Sequence, residues 1–292
     1  MLERFLRLIS AVVVGTIISL SVLAQSYPIK LDPHEKTGQT YHLVATTIDS
    51  TTAEATASGQ LIKKAEESFT AELSANVTIE EASSSGWATR KRFTVLASKI
   101  TRGSNTGLIL PSGTEVIASI QNGQTVYEVN QKPVDEEIAG YLRAVISLHL
   151  ASVADDDMYG TSTPKKVGES WPVSVDAMKK LLKEIGAQGG RQEITGTGIL
   201  EKVENNHAFV RSSVNVRDVL LPIKPELTTE SGEIETELWG RFPLRVNDIT
   251  EESHGTIRVS RFASGVNPDG KKVIVHVLYE RLDRYAISPI QK

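Results

Sequence analysis

Apolar and polar side chains alternate along most of this chain after residue 40. In ESFTAELSANVTIEEASSS, Phe69, Ala71, Leu73, Ala75 and Val77 fall on one side, with polar residues between them. A period of two predicts a half-buried antiparallel strand. An earlier strand is predicted from near Thr40, after an extended lead-in. GWATRKRFTVLASKITRG continues the alternation past a turn at Gly86, and a further strand is predicted around Leu108 to Leu110. Two short strands then meet at Asn122-Gly123, a pair that tolerates positive φ and closes a tight hairpin.

The rhythm changes at VDEEIAGYLRAVISLHLASVADDD. Ile138, Leu142, Val145, Ile146, Leu148 and Leu150 make an apolar surface at helical spacing. The spacing predicts a helix over Val134 to Val153, with Asp135 to Glu137 placing negative charge where its first backbone N–H groups are unpaired. SVDAMKKLLKEIG predicts a second, shorter helix from Ser174 to Ile185. Ser174 caps it, Ala177, Leu181 and Ile185 form its stripe, and Gly186 stops it.

Alternation returns at Gln192 to Val203 and His207 to Val216, with Asn205-Asn206 as the turn between them. Another strand pair spans GEIETELWGRFPLRVNDITEESHGTIRVSRFAS. Near the C-terminus, Val273, Val275, Val277 and Tyr279 alternate with Ile274, His276 and Leu278, so both sides are apolar. Such a strand is covered on both faces or is central. The pattern predicts an α+β fold: a curved antiparallel β-sheet, or two, covered by one or two central helices. Its parts are 1–24 as a leader, 25–133 as an N-terminal strand set, 134–186 as central helices and a junction, and 187–292 as a C-terminal strand set. Two readings stand for the organisation, a duplication giving two similar halves or one domain of curved sheet around the helices.

The leader adds an address. Arg4 and Arg7 precede an apolar run from Leu8 to Leu23, and Val22 and Ala24 are the small residues a signal peptidase accepts. Cleavage is expected after Ala24; an uncleaved anchor is the alternative, although the run is shorter than the roughly 20 residues of a spanning helix. No later stretch is apolar enough to span a bilayer, so no integral span is expected after cleavage. The chain has 32 basic and 36 acidic residues. Removing Glu3, Arg4 and Arg7 leaves 30 and 35, a formal charge of −5. That favours solubility and gives no electrostatic case for nucleic acid. There is no cysteine, which excludes thiol catalysis, iron–sulfur clusters and cysteine zinc sites.

Candidate chemistry is sparse. The six histidines, His34, His42, His149, His207, His254 and His276, form no HExxH pattern. No serine lies in GxSxG, no phosphate-binding glycine loop occurs, and no cofactor is implied. Asp155-Asp156-Asp157 could attract calcium, but lacks the glycine and final glutamate of a helix–loop–helix calcium loop. Trp87, Trp171 and Trp239 each adjoin a glycine or proline. They read either as ligand contacts, with Leu142 and Ile146 beside them, or as seals at the ends of a core.

TPKKVGESWPV, Thr163 to Val173, carries the spacing P-x-x-V-G-[DE]-S-W at Pro164, Gly168 and Trp171. It resembles a segment of uncharacterised bacterial exported envelope proteins, in which it follows an amphipathic helix and opens a second set of strands. The wider layout is similar to the periplasmic lipoprotein-carrier fold. The resemblance implies that Pro164, Gly168 and Trp171 form a structural junction, and it supplies no catalytic motif. The expected function is an exported, periplasmic or extracellular protein, more a binding or carrier module for an apolar ligand or an envelope protein partner than an enzyme. A hydrolase with a site assembled by folding and a structural cell-surface protein are the alternatives.

Overall fold

The computed structural model describes residues 25–32, 34–146, 148, 152–187, 192–223, 227–244, 252–266 and 270–290. The leader, His149 and Leu150 lie outside these residues. The fold is α+β, dominated by one 13-stranded antiparallel sheet. The N-terminal set comprises β2 (Thr40–Ala57), β3 (Gln60–Ala82), β4 (Ala88–Arg102), β5 (Asn105–Gly107), β6 (Glu115–Gln121), β7 (Gln124–Val129) and β8 (Lys132–Pro133). The C-terminal set comprises β10 (Ser170–Pro172), β11 (Glu193–Glu204), β12 (His207–Arg217), β13 (Thr228–Pro243), β14 (Glu252–Val266) and β15 (Lys272–Ser288). Each set is a meander, and β15 pairs with β2 from Val273↔Ala57 to Ser288↔His42. The last strand therefore sits mid-sheet, between β14 and β2.

Alternation assigns every strand a covered and an open face. On β2, Tyr41, Leu43, Ala45 and Thr47 are buried while Val44 and Ile48 are exposed. Two separate cores lie on the covered face. In the first, Leu73, Val77, Phe93 and Val116 pack under α1 (Glu136–Val145), whose Leu142, Val145 and Ile146 are almost fully buried. Asp135 caps α1 by accepting from the Ile138 N–H at 2.8 Å. In the second, Leu200, Val210, Val214 and Phe242 pack under α3 (Val175–Glu184), α2 (Asp155–Met158) and the two-stranded pair of β1 (Tyr27–Ile29) and β9 (Thr161–Lys165).

Several local expectations are corrected. The helix expected over Val134 to Val153 ends at Val145, because Ile146 is extended at φ −120°, ψ 114°. The last carbonyls are then bonded by side chains: the Ala144 carbonyl accepts from Thr47 Oγ1 at 2.7 Å and from Arg281 Nη2 at 3.1 Å. Leu108 to Leu110 form no strand; Ile109 and Leu110 turn into the core, and Ser98 Oγ satisfies the Leu110 N–H and carbonyl. On α3, Met178 and Leu182 face the core while Ile185, past the helix end, is exposed. Ala177 and Leu181 of the expected stripe also pack, half-buried, against this core, so the apolar face is wider than expected and omits Ile185. The turns at Asn122-Gly123 and Asn205-Asn206 have positive φ at both residues, as the hairpin type requires.

The lead-in ties the two cores together. β1 packs on the C-terminal core, where the Leu31 N–H donates to Asp156 at 2.5 Å. A few residues on, Glu35 forms a buried ion pair with Lys91 of β4 at 2.6 Å and accepts from the Ala88 N–H at 2.9 Å.

Candidate functional site

The covered face is filled by its two cores, so open concavity lies on the other face. A trough of about 870 Å³ crosses six adjacent strands there, β11, β12, β13, β14, β15 and β2. Two cross-strand rows make its floor. One runs Thr197, Ser213, Glu237, Thr256, Leu282, Ile48; the next runs Thr195, Asn215, Glu235, Arg258, Glu280, Ser50. Side chains directly opposite one another on paired strands share a face, so these twelve positions converge although they come from distant parts of the sequence.

The floor is graded. Thr195, Thr197, Ser213 and Asn215 supply small polar groups at one end, and at the other Ile48 and Leu282 supply apolar side chains beside Ser50 and Glu280. Arg258 stands between them, 3.4 Å from both Glu235 and Glu280. Glu237 has no ion-pair partner among the described residues, which leaves the floor with more negative than positive charge. A second hollow of about 590 Å³ opens on the same face around Val44, Thr46, Glu72, Ser74, Lys99 and Leu108. Val44 is 44% exposed and Ile48 43%. Central-strand hydrophobes with that much exposure lie on an uncovered surface.

On the covered face, between the cores, is a polar cluster of another kind. Thr47 Oγ1 also lies 2.6 Å from Asp283 Oδ1, and Asp283 pairs with Arg281 at 2.8 Å. Burial alone would lower the Arg281 pKa, but the hydrogen bond and charge of Asp283 outweigh it and hold it above the usual arginine value. Burial pushes Tyr279 and Tyr285 up to about 12 each. Thr47 and Arg281 hold the α1 terminus, so the cluster is a clasp between helix and sheet.

The structure does not bring the predicted contact residues together. Trp171 is buried on the covered face, opposite Gly198, and its indole N–H donates to the Tyr159 carbonyl at 2.8 Å. Leu142 and Ile146 fill the N-terminal core and line neither hollow. Trp87 sits in the β3–β4 turn, its backbone N–H donating to Ser83 Oγ at 3.2 Å. Trp239 is on the open face, two residues along β13 from Glu237, and stacks on His254 at 4.8 Å. Pro164 lies in β9, while Gly168, at φ 85°, donates its N–H to the Leu200 carbonyl at 2.7 Å and leads into β10.

Sequence reasoning missed the trough residues because alternating Ser, Thr and Glu read as a solvated strand face. Only the register shows that six such faces adjoin. Asp155 to Asp157 start α2, where Asp156 and Asp157 accept from the Leu31 and Ala154 N–H groups; no group of metal-binding side chains occurs among the described residues. None of the five described histidines lines either hollow. His276 contacts Ser260 at 3.0 Å and stacks on Phe262, with no carboxylate bonded to it among the described residues.

No known family and no curated protein matches the chain. Among solved structures it is distantly similar to one of lipid–protein interactions in lipovitellin, at 9% identity and a TM-score of 0.33 over 88% of this chain. The chain spans 26% of that lipovitellin chain. It is also similar to OpdQ of Pseudomonas aeruginosa, at 8% identity and a TM-score of 0.20 over 86% of this chain and 98% of that one. MucB in complex with MucA(peri) follows at 10% identity and a TM-score of 0.12, over 81% and 88% of the two chains. No helix among the described residues is long and apolar enough to cross a membrane.

Proposed function

We propose that this chain is an exported, non-enzymatic binding module of the cell envelope, and that the trough on its open face holds an elongated, partly apolar ligand. The observation that carries this reading is the trough itself, about 870 Å³ across six strands, with an apolar end at Ile48 and Leu282 and a polar end at Thr195 and Thr197. Ligand sites pair apolar lining with a few placed polar groups, and this floor supplies both, with its apolar pair Ile48 and Leu282 at one end. A chain-like molecule would lay its apolar part over β2 and β15 and turn hydrogen-bond donors toward Glu237. The leader and the resemblance of Pro164 to Trp171 to exported envelope proteins support the address.

Native mass spectrometry of the protein, purified without detergent from its exporting host, tests the reading. The expected spectrum shows a chain beginning at Gln25 that carries an additional mass, released by organic extraction. A bare chain that also takes up no fatty acid or lysolipid on titration would overturn it. A hydrolase built on histidine has no observation in its favour among the described residues.

A further inference from the structure

Gln60 to Phe69, the first part of β3, has a strand partner on one side only. β2 pairs with β3 from Ala57↔Gln60 to Thr40↔Thr78, whereas β4 reaches only as far as Thr70↔Thr101. Gln60 to Ser68 are all exposed, and no described element covers this edge. A strand edge of this length is a template for another strand unless something guards it.

We infer that this edge pairs with the same edge of a second copy, forming a two-fold dimer through an antiparallel ladder centred on Ala65. Backbone direction admits only registers that oppose even residues to even ones, and among these charge selects the one centred on Ala65. Ile79 exchanges hydrogen bonds with Gly38 and Gln39 on the β2 side of β3. The register with β2 is unbroken from Lys63 to Thr78. Alternation therefore turns the N–H and carbonyl of Ala65 toward β2, and those of Lys64, Glu66 and Ser68 toward the free edge. A two-fold ladder centred on Ala65 places Lys64 opposite the partner's Glu66, with both backbones aimed at each other.

The same register sets Lys63 against the partner's Glu67, so KKAEE meets its own reverse with four opposite-charge pairs. Shifting the centre to Glu66 opposes Glu66 to its own copy; shifting it to Lys64 opposes the two lysines. Like charges directly opposite are destabilising. Lys63 and Glu67 have no ion-pair partner among the described residues. Lys64 is held within its own chain by Glu54 at 3.4 Å and Glu66 at 2.6 Å, and would share the second contact with the partner's Glu66. The bulge that breaks the β2–β3 register between Lys63 and Leu61 ends the straight run, which limits the ladder to one copy's length and disfavours stacking into fibres.

Sedimentation velocity and amide exchange test the inference on the full exported chain. The expected result is a dimer at micromolar concentration, with exchange over residues 60–69 slowing as concentration rises. Lys63→Glu with Lys64→Glu raises the dimer dissociation constant about tenfold or more. Adding Glu66→Lys and Glu67→Lys to that variant restores the dimer, because all four pairs are re-formed with reversed sign. Far-UV circular dichroism confirms that both variants fold. A monomer up to about 100 µM, or a dimer indifferent to the charge reversal, overturns it.

Discussion

Trp171 lies against Gly198 across the β10–β11 ladder, with no side chain between its indole and the neighbouring strand. A methyl group placed on Gly198 would sit 2.6 Å from Cζ2 and Nε1 of the ring. The glycine is therefore required by the tryptophan and not by backbone conformation. Gly198→Ala is expected to lower unfolding stability by about 1–3 kcal/mol through overpacking. Trp171→Phe keeps most of the ring but frees the Tyr159 carbonyl, at a cost of about 1 kcal/mol. Urea titrations followed by circular dichroism would measure both, and an unchanged midpoint for Gly198→Ala would contradict this packing.

The clasp at the end of α1 gives a second expectation. Thr47 is fully buried and its hydroxyl lies between the Ala144 carbonyl and Asp283. Thr47→Val preserves the shape and deletes the hydroxyl, so its cost is the lost hydrogen bonding, about 1–3 kcal/mol. Arg281→Met leaves Asp283 with Thr47 as its remaining clasp partner and is expected to cost about 2–3 kcal/mol, less than a fully buried pair would. The two effects should not add, because both act on Ala144 and Asp283. A double variant whose loss equals the sum of the single losses would show that the clasp does not act as a unit.

Asp32 makes stability depend on pH. Its Oδ2 accepts from the Asp156 N–H at 2.8 Å, Asp155 and Asp156 carry like charge nearby, and Lys30 pairs with Asp156 at 3.5 Å. Burial above all, then the two aspartates, raise its pKa from 3.8 to about 7 despite the backbone hydrogen bonds. The folded chain thus keeps a proton that the unfolded chain has lost, and stability falls as pH rises between these values. Asp32→Asn keeps an acceptor for Asp156 and removes the titration. It is expected to match the parent near pH 4 and exceed it above pH 7 by about 1–2 kcal/mol, allowing for partial solvent screening. Equal pH slopes for the two proteins across this interval would rule the effect out.

How much of this was legible in the sequence follows from the range of each interaction. Phe69 to Val77 revealed a strand because alternation is local, and Asn122-Gly123 revealed a turn because φ is a property of single residues. The doubly apolar Val273 to Tyr279 pointed to a central or doubly covered strand, and β15 is central, between β14 and β2. The end of α1 was not legible, since its carbonyl partners Thr47 and Arg281 stand 97 and 137 residues away in sequence from Ala144. The trough was hidden for the same reason: Thr195, Glu235, Arg258 and Ser50 adjoin only through register, and each alone is an ordinary polar residue on an exposed strand face. Trp87, Trp171 and Trp239 attracted notice as large side chains, yet their surroundings differ completely.

Ile48 and Leu282 face each other across β2 and β15 on the open face, at the apolar end of the trough. A core residue repays truncation with a large loss of stability, about 2–5 kcal/mol for Leu or Ile to Ala. Ile48 remains 43% exposed and no helix among the described residues lies over it, so replacing it removes less buried area than a core residue loses. Leu282 is half-buried, so Ile48→Ser with Leu282→Ser is expected to lower unfolding stability by about 2–3 kcal/mol in all, which leaves the fold intact. If the trough holds the apolar part of a ligand, the same pair of changes abolishes uptake of a fluorescent fatty acid. Leu73→Ser, within the covered core, serves as the contrast: it should destabilise the fold severely. Binding that survives the double serine variant while the fold stays intact would place the ligand elsewhere on the sheet.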